Sequence, residues 1–291
     1  MRESIVCIGT VAKKPYRFQE TGVEVYSYEE LCYYLSKHMI CYLYTLPRTD
    51  LIPFIGENLE LPKLARILSK YDDPSKDQMK YFSALFREGN YFNEDEIREI
   101  LDDYRELMNA PYHRQCKWMG DLYNSSGCYM KAIQYYREGL KAENLSEQEH
   151  GALYHNLGIA QARLFRFHDA RISLLKAYQY GGEEESLYYY YCMIALTTDM
   201  DTARNEIKSL DISDLLVDSF RDRFAQFQED YQYSEDQARL SRIEYLKEHK
   251  KEEEAKELGE IYVWKMKKNF RRALERDEKM FVTNLPISYT L

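Results

Sequence analysis

An internal repeat with an offset of 38 residues is the feature that most constrains the fold of this chain. Superposing Gly120 on Gly158 also superposes Ala132 on Ala170, and bulky residues match bulky residues between these positions. Small residues at this spacing allow two antiparallel helices to approach closely where they cross. Because one helical hairpin cannot bury its apolar face alone, the repeat predicts a stack of helical hairpins.

Helical periodicity dominates from about residue 76, and only Pro111 and Pro286 interrupt it. A stretch of this length cannot be one helix, so it predicts a series of hairpins. The fold class is therefore mainly α: a helical-hairpin solenoid with a small α/β N-terminal portion and long C-terminal helices. The predicted domains are an α/β portion at 1–70, helical repeats at 76–209 and capping helices at 212–283.

The first 70 residues combine strand and helix signals. The segment SIVCIGTVA is rich in β-branched residues, and YRFQETGVEVYSY predicts a hairpin around Thr21 and Gly22. Ser27 stands three residues before Glu30, which is the spacing of a capping box at the start of a helix. A further helix is predicted in LPKLARILSKY.

The repeated segments resemble the tetratricopeptide repeat. The first, at 113 to about 146, has the family's small and aromatic positions in Gly120, Tyr123, Gly127, Tyr129, Ala132 and Tyr136. The second, at 151–184, has Tyr154, Leu157, Gly158, Ala170 and Ala177. Gly139 departs from the usual alanine, and the closing proline of the first repeat is missing. Degenerate repeats on either side extend the resemblance over 76–209.

The C-terminal region reads as long helices. The aromatic residues Phe220, Phe224, Phe227 and Tyr231 fall at helical spacing and predict an apolar stripe that faces the stack. An open solenoid needs such helices to cover its last apolar face. A coiled-coil dimer arm is the alternative, but the heptad pattern is not sustained. The oligomeric state stays open.

Composition narrows the class of partner. The net charge of −9 disfavours nucleic acid as the partner, because proteins that bind nucleic acid normally carry a basic surface. No apolar run is long enough to predict a membrane span, and the N-terminus shows no cleavage signal, so we expect a cytoplasmic protein. The six cysteines form no C-x-x-C pair and mostly stand among apolar residues, which predicts reduced, buried thiols.

The resemblance also implies a binding surface, because tetratricopeptide repeats bind peptides on a concave face lined by their first helices. The residues at these positions are Arg114, Lys117, Asp121, Asn124, His155, Asn156, Ile159, Arg163, Tyr189 and Tyr190. In some families a clamp of Lys, Asn, Asn, Lys and Arg grips a terminal carboxylate. Here Asp121 replaces the second clamp residue and would repel such a group. The groove predicts a peptide or helix partner, unless the C-terminal helices of the chain fill it.

The segment WKMKKNFRRALER carries six basic residues and one acidic residue in an acidic protein. These basic residues are Lys265, Lys267, Lys268, Arg271, Arg272 and Arg276. They indicate either a solvated helix face or contact with nucleic acid, a membrane surface or an acidic protein. The predicted function is a non-catalytic protein-interaction scaffold; the alternative is a regulatory protein that uses this basic helix.

No catalytic, cofactor or metal motif is present. The sequence lacks the phosphate-binding, dinucleotide-binding, zinc-protease and nucleophile-elbow patterns. The six histidines are scattered and predict no nucleophile–base pair. We therefore expect no enzyme activity and no cofactor.

Tyrosine is unusually frequent, with 28 residues against 12 phenylalanines. Several tyrosines fall at repeat-packing positions. The run Tyr188 to Tyr191 differs, because four consecutive residues go right round a helix at about 100° per residue. Either neighbouring helices surround that segment or some of its rings are free for a partner.

Overall fold

The computed structural model of the chain describes residues 7, 9–19, 21–47 and 50–264, and these form two compact units, an N-terminal unit (1–126) and a C-terminal unit (127–291). Both are mainly helical, as the periodicity predicts. The described residues include one two-stranded sheet, and consecutive helices pack on one another. The division at Ser126 and Gly127 falls within the turn of the first predicted repeat.

The N-terminal unit begins with the predicted hairpin. Its strands β1 (Tyr16–Arg17) and β2 (Glu24–Val25) pair in antiparallel fashion, with Tyr16 opposite Val25. The helices of this unit are α1 (Tyr28–His38), α2 (Leu51–Pro53), α3 (Pro62–Leu68), α4 (Pro74–Arg87), α5 (Glu94–Asn109) and α6 (Tyr112–Ser125). A 3-10 turn (Met39–Tyr42) follows α1, and a wider turn (Phe54–Asn58) continues α2.

Local capping explains where the helices of the N-terminal unit begin. The Ser27 hydroxyl accepts the amide of Glu30 at 3.1 Å, as the capping spacing predicts. The Glu30 carboxylate reaches one residue further back than a capping box requires and accepts from the Tyr26 amide at 2.6 Å. A complete capping box begins α5, where Asn93 and Glu96 bond each other's backbone amides.

One apolar core runs through the N-terminal unit. It joins the hairpin residues Phe18 and Val25 to α1, and it continues through Tyr81 on α4 to Tyr104 on α5. The predicted α/β portion at 1–70 therefore shares its core with the helices that follow it. Neither layer would bury enough apolar surface alone, since the sheet has only two residues in each strand.

The C-terminal unit is a succession of helices. They are α7 (Tyr129–Gly139), α8 (Glu147–Arg163), α9 (Phe167–Gly181), α10 (Glu184–Thr197), α11 (Met200–Lys208), α12 (Asp214–Gln232) and α13 (Glu235–Glu248). Residues 252–264 are also helical. Each of the helices from α7 to α12 packs against the next, which is the hairpin stack that the repeat predicts. Side chains at Ser146, Asp199, Ser213 and Ser234 cap the helices that follow them.

The small residues of the second repeat lie where α8 crosses α9. A Cβ atom added to Gly158 would lie 2.7 Å from Cγ of Leu174 and 3.3 Å from the carbonyl oxygen of Ala170. Both distances are shorter than an ordinary carbon contact, so only glycine allows this approach. The predicted pairing of Gly158 with Ala170 is confirmed.

The aromatic stripe of α12 is divided. Phe220 and Phe224 are buried against α10, whereas Phe227 and Tyr231 are exposed. The spacing predicts one continuous buried stripe, and only its first half is buried. A helix of 19 residues extends past the partner of 14 residues on which it packs, so its last turns lose that cover.

Candidate functional site

The first four groove residues lie on α6, in the N-terminal unit. Lys117 Nζ and Asp121 Oδ2 form an ion pair at 2.7 Å, and both side chains are about one third exposed. Arg114 is exposed, and Asn124 is half-buried. The Lys117 ammonium group is thus already neutralised, and a ligand carboxylate would have to compete with Asp121 for it. This geometry disfavours a carboxylate clamp on α6.

Four more predicted groove residues lie on α8, in the C-terminal unit. His155 Nδ1 and the buried Ser186 hydroxyl on α10 are hydrogen-bonded at 2.8 Å. Ile159 packs against the core of the unit, Asn156 is half-buried, and Arg163 is exposed at the end of the helix. The accessible part of this face is therefore polar and is concentrated at Asn156 and Arg163.

The remaining groove residues, Tyr189 and Tyr190, belong to the tyrosine run of α10. Together the side chains of this run contact α8, α9, α11 and α12. The Tyr189 ring meets His155 of α8 edge-on, with ring centres 5.8 Å apart. Tyr190 is only 5% exposed, and its hydroxyl donates to Glu206 of α11. It therefore offers no free ring to a partner.

The other two tyrosines of the run face α12. The guanidinium group of Arg223 lies 3.6 Å from the centre of the Tyr188 ring, and Tyr191 packs on Phe220 and Phe224. Helices thus surround α10, which decides between the two alternatives that the sequence leaves open. Sequence reasoning missed this arrangement because it depends on where α12 packs.

An ion pair between α9 and α11 lies beside Tyr190. Arg171 Nη2 on α9 donates to both carboxylate oxygens of Glu206, at 2.7 and 2.9 Å. Burial, together with the hydrogen bond to Glu206, raises the pKa of Tyr190 to about 12, so the phenol remains protonated and continues to donate. The cluster links α9, α10 and α11, and its geometry fits a structural role.

The cysteines and other metal-binding residues form no reactive cluster in the described part of the chain. Cys32, Cys116, Cys128 and Cys192 are buried, as predicted, whereas Cys7 is exposed and Cys41 is half-buried. Burial raises the pKa of the Cys32 thiol to about 12 and that of Cys192 to about 11. No group of three or more metal-binding side chains is found among the residues that the structure describes.

The predicted basic patch lies outside the described residues, since the description ends at Trp264. No helix in the described ranges is long and apolar enough to cross a membrane. Comparison with known proteins gave no significant match: no family model, no curated protein and no solved structure is similar to the chain.

Proposed function

We propose that this chain is a non-catalytic protein-interaction scaffold that binds a peptide or helix of a partner protein along the first-helix face of tetratricopeptide-like repeats. The observation that carries the proposal is the hairpin stack of α7 to α12, with small residues at the crossing of α8 and α9. Stacked hairpins form extended surfaces, and the proteins built from them use such surfaces for binding.

The accessible polar residues of α8 support a binding role for this face. Asn156 is half-buried and Arg163 is exposed, whereas His155 and Tyr189 hold α8 against α10. A face that is already held in place by packing loses little conformational freedom when it binds an extended peptide, which lowers the entropic cost of association. The chain has no C-x-x-C pair and four of its six cysteines are buried, which is consistent with a reducing compartment, so the proposal includes a cytoplasmic location.

The test compares the proteins captured by the wild-type chain with those captured by a variant of the proposed binding face. The full chain and the double variant Asn156→Ala and Arg163→Ala are used as baits in cells of the source organism, and partners are quantified by mass spectrometry. We expect the double variant to lose at least about 90% of its specific partners, since the few residues at the centre of an interface carry most of its affinity.

A matched control changes exposed residues on second helices, which face away from the proposed surface. It is the double variant Arg137→Ala and Gln179→Ala. This control should retain the wild-type partners, and both double variants should melt near the wild-type temperature. Equal capture by both variants would contradict the groove as the binding surface.

A further inference from the structure

The N-terminal unit contains a cavity of about 460 Å³ that is separate from the repeat face of the C-terminal unit. Side chains of α1, the 3-10 turn that follows it, the segment before α5, α5 itself and α6 surround it. Its volume lies within the range of about 300–1,000 Å³ that is typical of binding pockets. The lining residues that determine its chemistry are Tyr33, Lys37, Tyr91, Phe92, Asp103 and Trp118.

The floor of the cavity is apolar. Met39 and Ile40 are buried there, and so is Tyr104, whose hydroxyl donates to the carbonyl oxygen of Tyr42 at 3.0 Å. The phenol of Tyr104 is thus already satisfied and presents only its ring. Half-buried aromatic side chains form the walls, so a large apolar side chain would be well accommodated.

The mouth of the cavity is open, and most of the lining residues are half-buried or exposed. A small molecule bound here would remain partly in water. A partner protein would insert one side chain and cover the rest with its own surface, which excludes water from the contact. The shape therefore favours a protein anchor over a free small molecule.

The helix α5, which supplies the lining residue Asp103, carries an acidic stripe that includes this residue. Glu99, Asp103 and Glu106 on α5 stand at i, i+4 and i+7, so they form a single stripe along the helix. All three are exposed, and none of them has an ion-pair partner among the described residues. Their neighbours Asp95 and Asp102 differ, because each pairs with an arginine three residues further along.

A single cation stands on α1 at the other side of the cavity. Lys37 is exposed and has no ion-pair partner in the part of the chain that the structure describes. Three unpaired carboxylates on the Asp103 face of α5, against one ammonium group on α1, leave a net negative charge beside the cavity. Charge complementarity therefore requires a basic ligand.

We propose that this cavity docks a basic amphipathic segment of a partner protein. One large apolar side chain of that segment enters between Tyr91, Phe92 and Trp118. Lysine or arginine side chains on either side of it pair with Glu99, Asp103 and Glu106. This surface is distinct from the repeat face proposed above, and neither proposal requires the other.

The probe is selected from a phage library of random 16-residue peptides on the immobilised full chain. The tightest peptide is then made with a fluorescent label, and its affinity is measured by polarisation. We expect the selected peptides to share a large apolar residue flanked by lysine or arginine. The triple variant Glu99→Gln, Asp103→Asn and Glu106→Gln should weaken binding by about tenfold or more, because it removes three complementary charges.

The matched control is Glu94→Gln, Asp95→Asn and Asp102→Asn, which changes the net charge equally. These three carboxylates already pair with Arg87, Arg98 and Arg105. The control should bind within about twofold of the wild type. Two further variants move binding in opposite directions: Ser36→Phe fills the cavity and should abolish binding, whereas Lys37→Glu adds a carboxylate and should strengthen it.

Several results would overturn the proposal. They are a selection that enriches no peptide, enriched peptides that are neutral or acidic, and equal weakening by the two carboxylate triples. If light scattering instead shows a wild-type dimer that Ser36→Phe dissociates, a second copy of the chain occupies the cavity. The variant Asn156→Ala and Arg163→Ala should bind the peptide normally, so failure here is distinguishable from failure of the repeat face.

Discussion

Gly151 on α8 lies directly against Gly181 on α9: a Cβ added to Gly151 would come within 2.7 Å of the Cα of Gly181. Together with the contact of Gly158 on Leu174, this places two close approaches one above the other along the same hairpin. Backbone meets backbone at the first of them, so no side chain can move aside to relieve an overlap.

The close approach predicts that Gly151→Ala destabilises the C-terminal unit. Alanine improves helix propensity by up to about 1 kcal/mol, but the overlap with the α9 backbone should cost about 1–3 kcal/mol. We expect a net loss in the free energy of unfolding, measured by urea titration with circular dichroism. Gly259→Ala is the control: it lies in the helical segment at 252–264 with open space around it, so it should be neutral or stabilising. Equal effects from the two substitutions would contradict the close crossing.

Adjacent tyrosines of α10 should respond in opposite ways to loss of the hydroxyl. Tyr190→Phe removes the hydrogen bond to Glu206 and should cost about 1–2 kcal/mol, as expected for a bond to a charged group. The buried hydroxyl of Tyr191 has no hydrogen-bond partner among the described residues, so Tyr191→Phe should be neutral or stabilising. Chemical denaturation of both variants measures the difference, and a larger loss for Tyr191→Phe would show that its hydroxyl has a partner.

Acid should weaken the N-terminal unit through His38. Burial lowers the pKa of this imidazole below 6.5, although its hydrogen bond to the Tyr34 carbonyl at 2.7 Å partly opposes the shift. As the pH falls, the unfolded state therefore binds a proton at His38 before the folded state does. The free energy of unfolding that is present above a pH of about 6.5 is lost as the pH falls towards the lower pKa of the folded state. Urea unfolding between pH 8 and 5 measures this loss.

The variant His38→Gln should show a flatter pH dependence than the wild type. His249→Gln serves as its control, because the His249 ring is likewise hydrogen-bonded to the carbonyl oxygen of the tyrosine four residues earlier, Tyr245, but lies on an exposed surface. The control should keep the wild-type profile. A profile that His38→Gln leaves unchanged would assign the acid sensitivity to other groups.

Cysteine alkylation should follow burial. Iodoacetamide near neutral pH should modify the exposed Cys7 first, because the thiolate is the reactive form and must be accessible. Cys32 and Cys192 are buried and have raised pKa values, so their modification should await unfolding. Peptide mass spectrometry over a time course, with a urea-denatured control, measures the order. Labelling of Cys192 as fast as that of Cys7 would mean that α10 opens readily.

Sequence reasoning was strongest where spacing alone carries the information. The offset that pairs Gly158 with Ala170 locates a helix crossing, because small residues are needed wherever two backbones approach. The sequence could not show where the buried part of the α12 stripe ends. Phe224 and Phe227 have the same helical spacing, and which of them is buried depends on the length of α10. Nor could the sequence decide the surroundings of Tyr190, which depend on Glu206 of a different helix.

The cavity of the N-terminal unit illustrates the same limit. The spacing of Glu99, Asp103 and Glu106 is visible in the sequence and identifies an acidic helix face. The opposite rim is supplied by Lys37, and only the fold brings it to the same cavity as Asp103. The sequence shows which residues share a face of one helix, but it does not show which residues of distant helices come together in the fold.

The surroundings of α10 also bear on how the C-terminal unit unfolds. In an ideal solenoid each hairpin interacts only with its neighbours, so the ends can fray while the middle persists. Here one helix contacts α8, α9, α11 and α12 through its consecutive tyrosines. Detaching α10 would remove contacts from all four at once. We therefore expect the segment from α8 to α12 to unfold as one cooperative block, whose extent is set by a single run of aromatic residues.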